Sequence, residues 1–152
     1  QQHLFVPLSV AADRIHRLRG EIPERAAVAE AQAEIRRTIP TNGAGQPRFD
    51  LIFLGMGEDG HVASLFPREP AALVSSEAVY RSVVASKSPP VRITLGYAAI
   101  AAARQVWVLA SGPGKESSLK ESLSIDSRTP LGRVIAMRQS TCVFTDVPMR
   151  GS

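Results

Sequence analysis

Residues 55–61 read GMGEDGH, which sets three glycines, two carboxylates and a histidine within seven positions. An imidazole such as that of His61 can serve as a general base. A carboxylate two residues earlier, Asp59, can reach back across a glycine turn, fix the tautomer and stabilise the imidazolium. The pattern imposes no Ser or Cys nucleophile, so the chemistry it suits is base-assisted attack by water. The alternative is a surface turn in which Asp59 caps a following helix. His3 and His16 stand in ordinary surroundings and read as structural or merely exposed. One histidine with two adjacent acids is a thin ligand set, so no metal site is expected.

A second glycine loop, SGPGK, occupies residues 111–115. Glycines let backbone N–H groups turn toward an anion, and a lysine after the last glycine adds charge. Lys115 therefore suits a phosphate or a carboxylate. Neither loop reads as a nucleotide site. GMGEDG formally fits G-x-G-x-x-G, but Glu58 and Asp59 would place negative charge against a pyrophosphate, and SGPGKES lacks the P-loop spacing.

The elements that must position these loops follow from periodicity. PERAAVAEAQAEIRRTI, opening at Pro23, repeats Ala27, Val28, Ala31, Ile35 and Ile39 at helical spacing and predicts an amphipathic helix. RIHRLRGE before it reads as a short strand or loop, and TNGAGQP after it as a loop. FDLIFLG and VWVLASG are near-continuous apolar runs, expected as strands buried on both faces of a parallel sheet, and each runs straight into a glycine loop. AVYRSVVA and VRITL predict strands joined by SKSPP; GYAAIAAARQ and the segment after GPGK predict helices; RVIAM and STCVFTD predict two closing strands. The alternation predicts an α/β fold, a three-layer sandwich with a mostly parallel sheet flanked by helices, Rossmann-like, over residues 1–152 as a single domain. In such sheets ligands bind beyond the carboxyl ends of the strands, where both glycine loops lie.

Composition sets the partners. At 44% hydrophobic and 21% charged, the chain is of ordinary soluble type. The net charge of +4 is scattered without a basic run, and only 5% of residues are aromatic, which argues against nucleic acid. A few placed cations suit an anionic small molecule equally well. The single cysteine, Cys142, excludes an internal disulfide and reads as a small buried hydrophobe. No segment has the length of a membrane span, and the amino end shows no secretory pattern, so a cytoplasmic protein is expected.

LGMGEDGHVASLFP, residues 54–67, resembles the signature of the 6-phosphogluconolactonase family, L-G-x-G-x-D-G-H-T-A-S-L-F-P, with Val62 where Thr is usual. KSPPVRITLGYAAIAAARQVWVLASGPGK, residues 87–115, is similar to the family's K-P-P-x-R-x-T-L stretch and its G-x-G-K loop. The family's Asn before A-A-R is Ala101 or Ala102 here, Arg104 is kept, and CVFTD resembles the closing strand with Val143 where Trp is usual. The likeness runs over nearly the whole chain. It implies a cytoplasmic carboxylic ester hydrolase of the oxidative pentose phosphate pathway, converting 6-phosphoglucono-1,5-lactone to 6-phosphogluconate without a cofactor. By that resemblance His61 would be the general base, supported by Asp59. Amides around Gly55 and Gly57 would hold the developing oxyanion. Arg92 and Lys115 would bind the phosphate or the carboxylate product, with Lys87 a weaker candidate. The partner implied is a small sugar-phosphate lactone, with no nucleic acid or membrane, on a monomer or weak homo-oligomer. Family members begin with a strand and a phosphate loop that do not precede Gln1, so the chain is expected to be the carboxyl-terminal two-thirds of a longer lactonase domain. Two other readings stand beside this one. Glucosamine-6-phosphate deaminase-like isomerases have a similar loop but continue Asn-Glu-Pro where this chain has Ser64-Leu65-Phe66-Pro67. A non-catalytic sugar-phosphate-binding fragment is the other.

Overall fold

The apolar runs between glycine-rich turns become strands in the computed structural model, which describes residues 3–86 and 88–148. In chain order these are β1 (Leu51–Gly55), β2 (Tyr80–Val84), β3 (Val91–Leu95), β4 (Gln105–Ala110) and β5 (Cys142–Thr145). The helices are α1 (Glu24–Thr38), α2 (Ala71–Val74), α3 (Tyr97–Ala101), α4 (Glu116–Ser122) and α5 (Pro130–Ala136). Strands β1, β4 and β5 form a parallel sheet in the order β1-β4-β5, with Leu51 opposite Gln105 and Trp107 opposite Cys142. Strands β2 and β3 form a separate antiparallel pair, with Arg81 opposite Thr94.

Side chains alternate across a strand, so the register decides which residues meet. Ile52, Leu54, Val106, Val108 and Ala110 point to one face of the parallel sheet and are buried beneath Tyr97 and Ile100 of α3, Leu119 of α4, and Leu131 and Val134 of α5. Helix α1 begins directly after Pro23 and packs on the β2–β3 pair. There Ile35 clusters with Val79 and Ala99, and Gln32 Nε2 donates to the Tyr80 carbonyl at 3.0 Å. Among the described residues no helix is long and apolar enough to cross a membrane.

Four expectations are corrected. The segment RVIAM is helical, the end of α5, because Thr129-Pro130 is a helix start: Thr129 Oγ1 accepts from Gly132 N at 3.0 Å and Pro130 fills the first turn. The run FDLIFLG is not buried on both faces, since β1 alternates and Phe53 is 60% exposed. Phe53 instead forms an aromatic row with Trp107 (5.6 Å between centroids) and Phe144 (5.2 Å from Trp107) on the other face of the sheet. Cys142 lies on that same face and is exposed rather than buried. The helix expected over GYAAIAAARQ ends at Ala101, because the chain turns directly into β4 at Gln105.

Candidate active site

Because β1 and β4 are parallel neighbours, their carboxyl ends leave the sheet side by side, and so do the two glycine loops that follow them. A side chain at Gly114 would come within 3.2 Å of Glu58 Oε1, so the loops touch there. The first loop closes on itself. Gly57 N donates to the His61 carbonyl at 2.9 Å, Gly60 N donates to the Gly57 carbonyl at 3.0 Å, and Gly60 takes a φ of +77°, which glycine adopts without strain. Short bridges join Met56 to Val62 and Val62 to Leu65, all three buried. From below, Leu131 N donates to the Gly60 carbonyl at 3.1 Å. The methyl of Thr129 packs at Gly60, and its hydroxyl lies 2.7 Å from that of Ser122.

This turn presents Asp59 to His61. Asp59 Oδ1 lies 2.6 Å from His61 Nδ1 and accepts from the His61 backbone N–H at 3.2 Å. Partial burial works to raise the Asp59 carboxyl, but the hydrogen bonds from the His61 ring and backbone outweigh it and hold the group below its ordinary value. An ionised carboxylate only accepts, so the shared proton sits on Nδ1, and in the neutral form of the ring the lone pair is on Nε2. Gly57 is what makes room: a side chain there would overlap the His61 imidazole.

His61 opens into a cleft of about 420 Å³ lined by Glu58, Asp59, His61, Phe66, Ser86 and Arg92. The Phe66 ring lies 5.1 Å from the imidazole between centroids, and the Arg92 guanidinium carbon lies 5.6 Å from the Phe66 centroid. Arg92 Nε donates to the Pro89 carbonyl at 3.0 Å, which orients the guanidinium over the ring. The cleft thus has a base near one end, a cation near the other and an aromatic wall between them. A larger hollow of about 470 Å³ lies against α1, but its charges are paired, Arg17 with Glu21, Arg19 with Glu30 and both His16 and Arg37 with Glu34.

The structure brings Asp59, His61 and Arg92 together, while Lys115 does not line their cleft. Lys115 immediately precedes α4 and lies close enough to Asp146 for its charge to act there. Asp146 itself is held below its ordinary value by hydrogen bonds from Ser111 Oγ at 2.7 Å and Gly112 N at 3.0 Å. Of the amides expected to face an oxyanion, that of Gly57 donates to the His61 carbonyl, and the neighbouring Met56 amide donates to the Leu109 carbonyl. Gly55 ends β1 with no atom near its missing side chain. Lys87 lies outside the described residues. Sequence reasoning missed Phe66 and Ser86 as cleft residues. Phe66 was in view only within the motif at residues 54–67, and its five-residue spacing from His61 carried no helical or strand signal. Among the described residues no group of His, Cys, Asp and Glu is placed to hold a metal ion.

Comparison with known proteins bears on this arrangement. The family model described as glucosamine-6-phosphate isomerases/6-phosphogluconolactonase matches residues 1–144. The chain belongs to that family. A 6-phosphogluconolactonase of Streptomyces coelicolor is 38% identical over 130 residues, covering 82% of this chain and 50% of the relative. The human 6-phosphogluconolactonase is 32% identical over 146 residues, covering 95% and 56% respectively. Among solved structures, the 6-phosphogluconolactonase of Thermotoga maritima superposes with a TM-score of 0.77 at 27% identity, over 95% of this chain and 61% of that one. The chain therefore spans about half the length of the curated relatives it matches. Its parallel sheet and flanking helices are the family's α/β fold.

Proposed function

We propose that this chain carries the hydrolytic site of a 6-phosphogluconolactonase, opening 6-phosphoglucono-1,5-lactone to 6-phosphogluconate. The observation that carries the reading is the 2.6 Å approach of Asp59 to His61 Nδ1, which leaves Nε2 without a protein hydrogen-bond partner among the described residues, at the mouth of the cleft that Arg92 lines. Nε2 takes a proton from water as the water oxygen bonds to the lactone carbonyl carbon. Asp59 stabilises the imidazolium that forms. As the tetrahedral intermediate collapses, the bond from that carbon to the ring oxygen breaks, and the proton on Nε2 passes to the departing ring oxygen. The products are a carboxylic acid and a free hydroxyl, with the base regenerated. Arg92 supplies positive charge for the phosphate or the new carboxylate, and Phe66 forms the apolar wall against which the sugar lies.

Acid release from freshly generated 6-phosphogluconolactone, followed above its spontaneous hydrolysis, tests the reading directly. The intact chain accelerates release, and His61→Ala reduces the acceleration by about 10²- to 10⁴-fold, the contribution of a positioned general base. A folded chain that binds 6-phosphogluconate without turnover would replace this reading with the sugar-phosphate-binding one.

A further inference from the structure

The segment that follows His61 holds two backbone conformations that side chains disfavour. Ala63 has a φ of +52° and Arg68 a φ of +65°, and neither is glycine. Such residues persist where their surroundings over-determine them. Each is followed at once by an anchor. Ser64 N donates to Thr94 Oγ1 at 3.1 Å, and both oxygens of Glu69 accept from Arg81 Nη2 at 2.8 Å. Thr94 and Arg81 stand opposite one another in the β2–β3 ladder, so both anchors close on a single rung. Between the anchors lies Phe66. Two residues before Thr94 on β3 lies Arg92. The rung therefore ties the loop that carries Phe66, and behind it His61, to the strand that carries the cation of the cleft.

The Arg81–Glu69 pair is a poor device for stability alone. Its side chains are 8% and 7% exposed, and Arg81 Nε and Nη1 are buried without a partner among the described residues. Removing both charges from water offsets much of their attraction, and two unmatched buried donors add to the cost. Replacing a buried ion pair by well-packed apolar side chains is often neutral or stabilising. Such side chains would not fix the loop's direction, because apolar packing has no preferred geometry, whereas a carboxylate on a guanidinium does.

We propose that Arg81 and Glu69 are positioning residues, whose buried ion pair sets the loop's register against β3 and thereby holds Phe66 and His61 at a fixed separation from Arg92. The consequence for turnover rests on the lactonase reading; the positional claim does not. The test is the double variant Glu69→Met/Arg81→Met in the full chain, compared with the parent by melting temperature and by the nuclear Overhauser cross-peak between the Phe66 ring and the Arg92 side chain. The expected result is an unchanged or higher melting temperature with that cross-peak abolished. Where the parent turns over the lactone, kcat should also fall by about 10- to 100-fold from misplacement of the base. The Arg81→Lys variant keeps the buried charge on a narrower donor, and it should fold and weaken the same cross-peak. A folded double variant that keeps the cross-peak overturns the proposal, and so does an Arg81→Lys chain with the parent's spectrum. Because the cross-peak is read without substrate, an inactive parent would count against the lactonase reading and leave the positional result to stand on its own.

Discussion

The two glycine loops leave adjacent parallel strands at the same edge of the sheet, and each lies beside an acid held below its ordinary value, yet they are built for opposite ends. In the first, Asp59 turns its carboxylate on an imidazole and the amides close the turn. In the second, Asp146 reaches across from the end of β5 to the Ser111 hydroxyl and the Gly112 amide, so the acid holds the backbone. One loop sets an imidazole beside its acid at a cleft, whereas at the other the acid engages the loop's own hydroxyl and amide. A glycine loop after a strand is thus a permission, and what it does depends on which group the acid within reach engages.

Glycine substitution should separate the loops most sharply. Gly57→Ala overlaps the His61 ring and is expected to lower turnover by about 10²- to 10⁴-fold, as loss of the base would, with a modest change in melting temperature. Gly112→Ala meets no atom within 4 Å but must hold a φ of +94°, so it should cost about 1–2 kcal/mol of stability with turnover almost intact. Thermal melts and lactone kinetics on the two variants check the crossing, and equal effects in both would erase the distinction.

Asp59→Asn comes next, with an expected fall in kcat of about 10- to 100-fold; the orienting acid is half exposed, so water replaces part of its role. The sign of the pH effect follows from the depressed carboxyl. Its contribution to stability is present above the ordinary aspartate value of 3.8 and is lost as pH falls through the lower folded value. Acid unfolding of Asp59→Asn should lack that component while the Asp146 component persists. Lys115→Ala should have a smaller effect, a several-fold rise in KM that shrinks with added salt and no change in kcat, because the lysine acts from outside the cleft. A hundredfold rise instead would move the anion to the second loop. The smallest effect expected is that of Thr129→Ala, about 1 kcal/mol from loss of the α5 cap, seen as faster amide exchange at Gly60 and Leu131 with the second loop unmoved.

Much of this was legible in the sequence where the physics is local. Helix α1 follows from its periodicity after Pro23, and β1 and β4 follow from their apolar runs. The motif at residues 54–67 pointed to the family, and the Asp59–His61 pair lies within the reach of one turn. Legibility failed where a residue's surroundings come from elsewhere in the chain. Phe53 and Trp107 looked buried because their neighbours are apolar, but alternation puts them on the face opposite the core. Arg133–Met137 looked like a strand by composition, and the cap at Thr129-Pro130, read only a few residues upstream, makes it helical.

By itself the sequence placed a carboxylate two residues from an imidazole across Gly60, within the reach of one turn. Tertiary structure alone decided what faces that imidazole. Arg92 reaches Phe66 only because β3 pairs with β2 in one register, and Glu69 meets Arg81 only because the loop after His61 returns to that same pair. Contacts within a turn are set by a few dihedral angles, whereas contacts across the fold depend on how every intervening element packs.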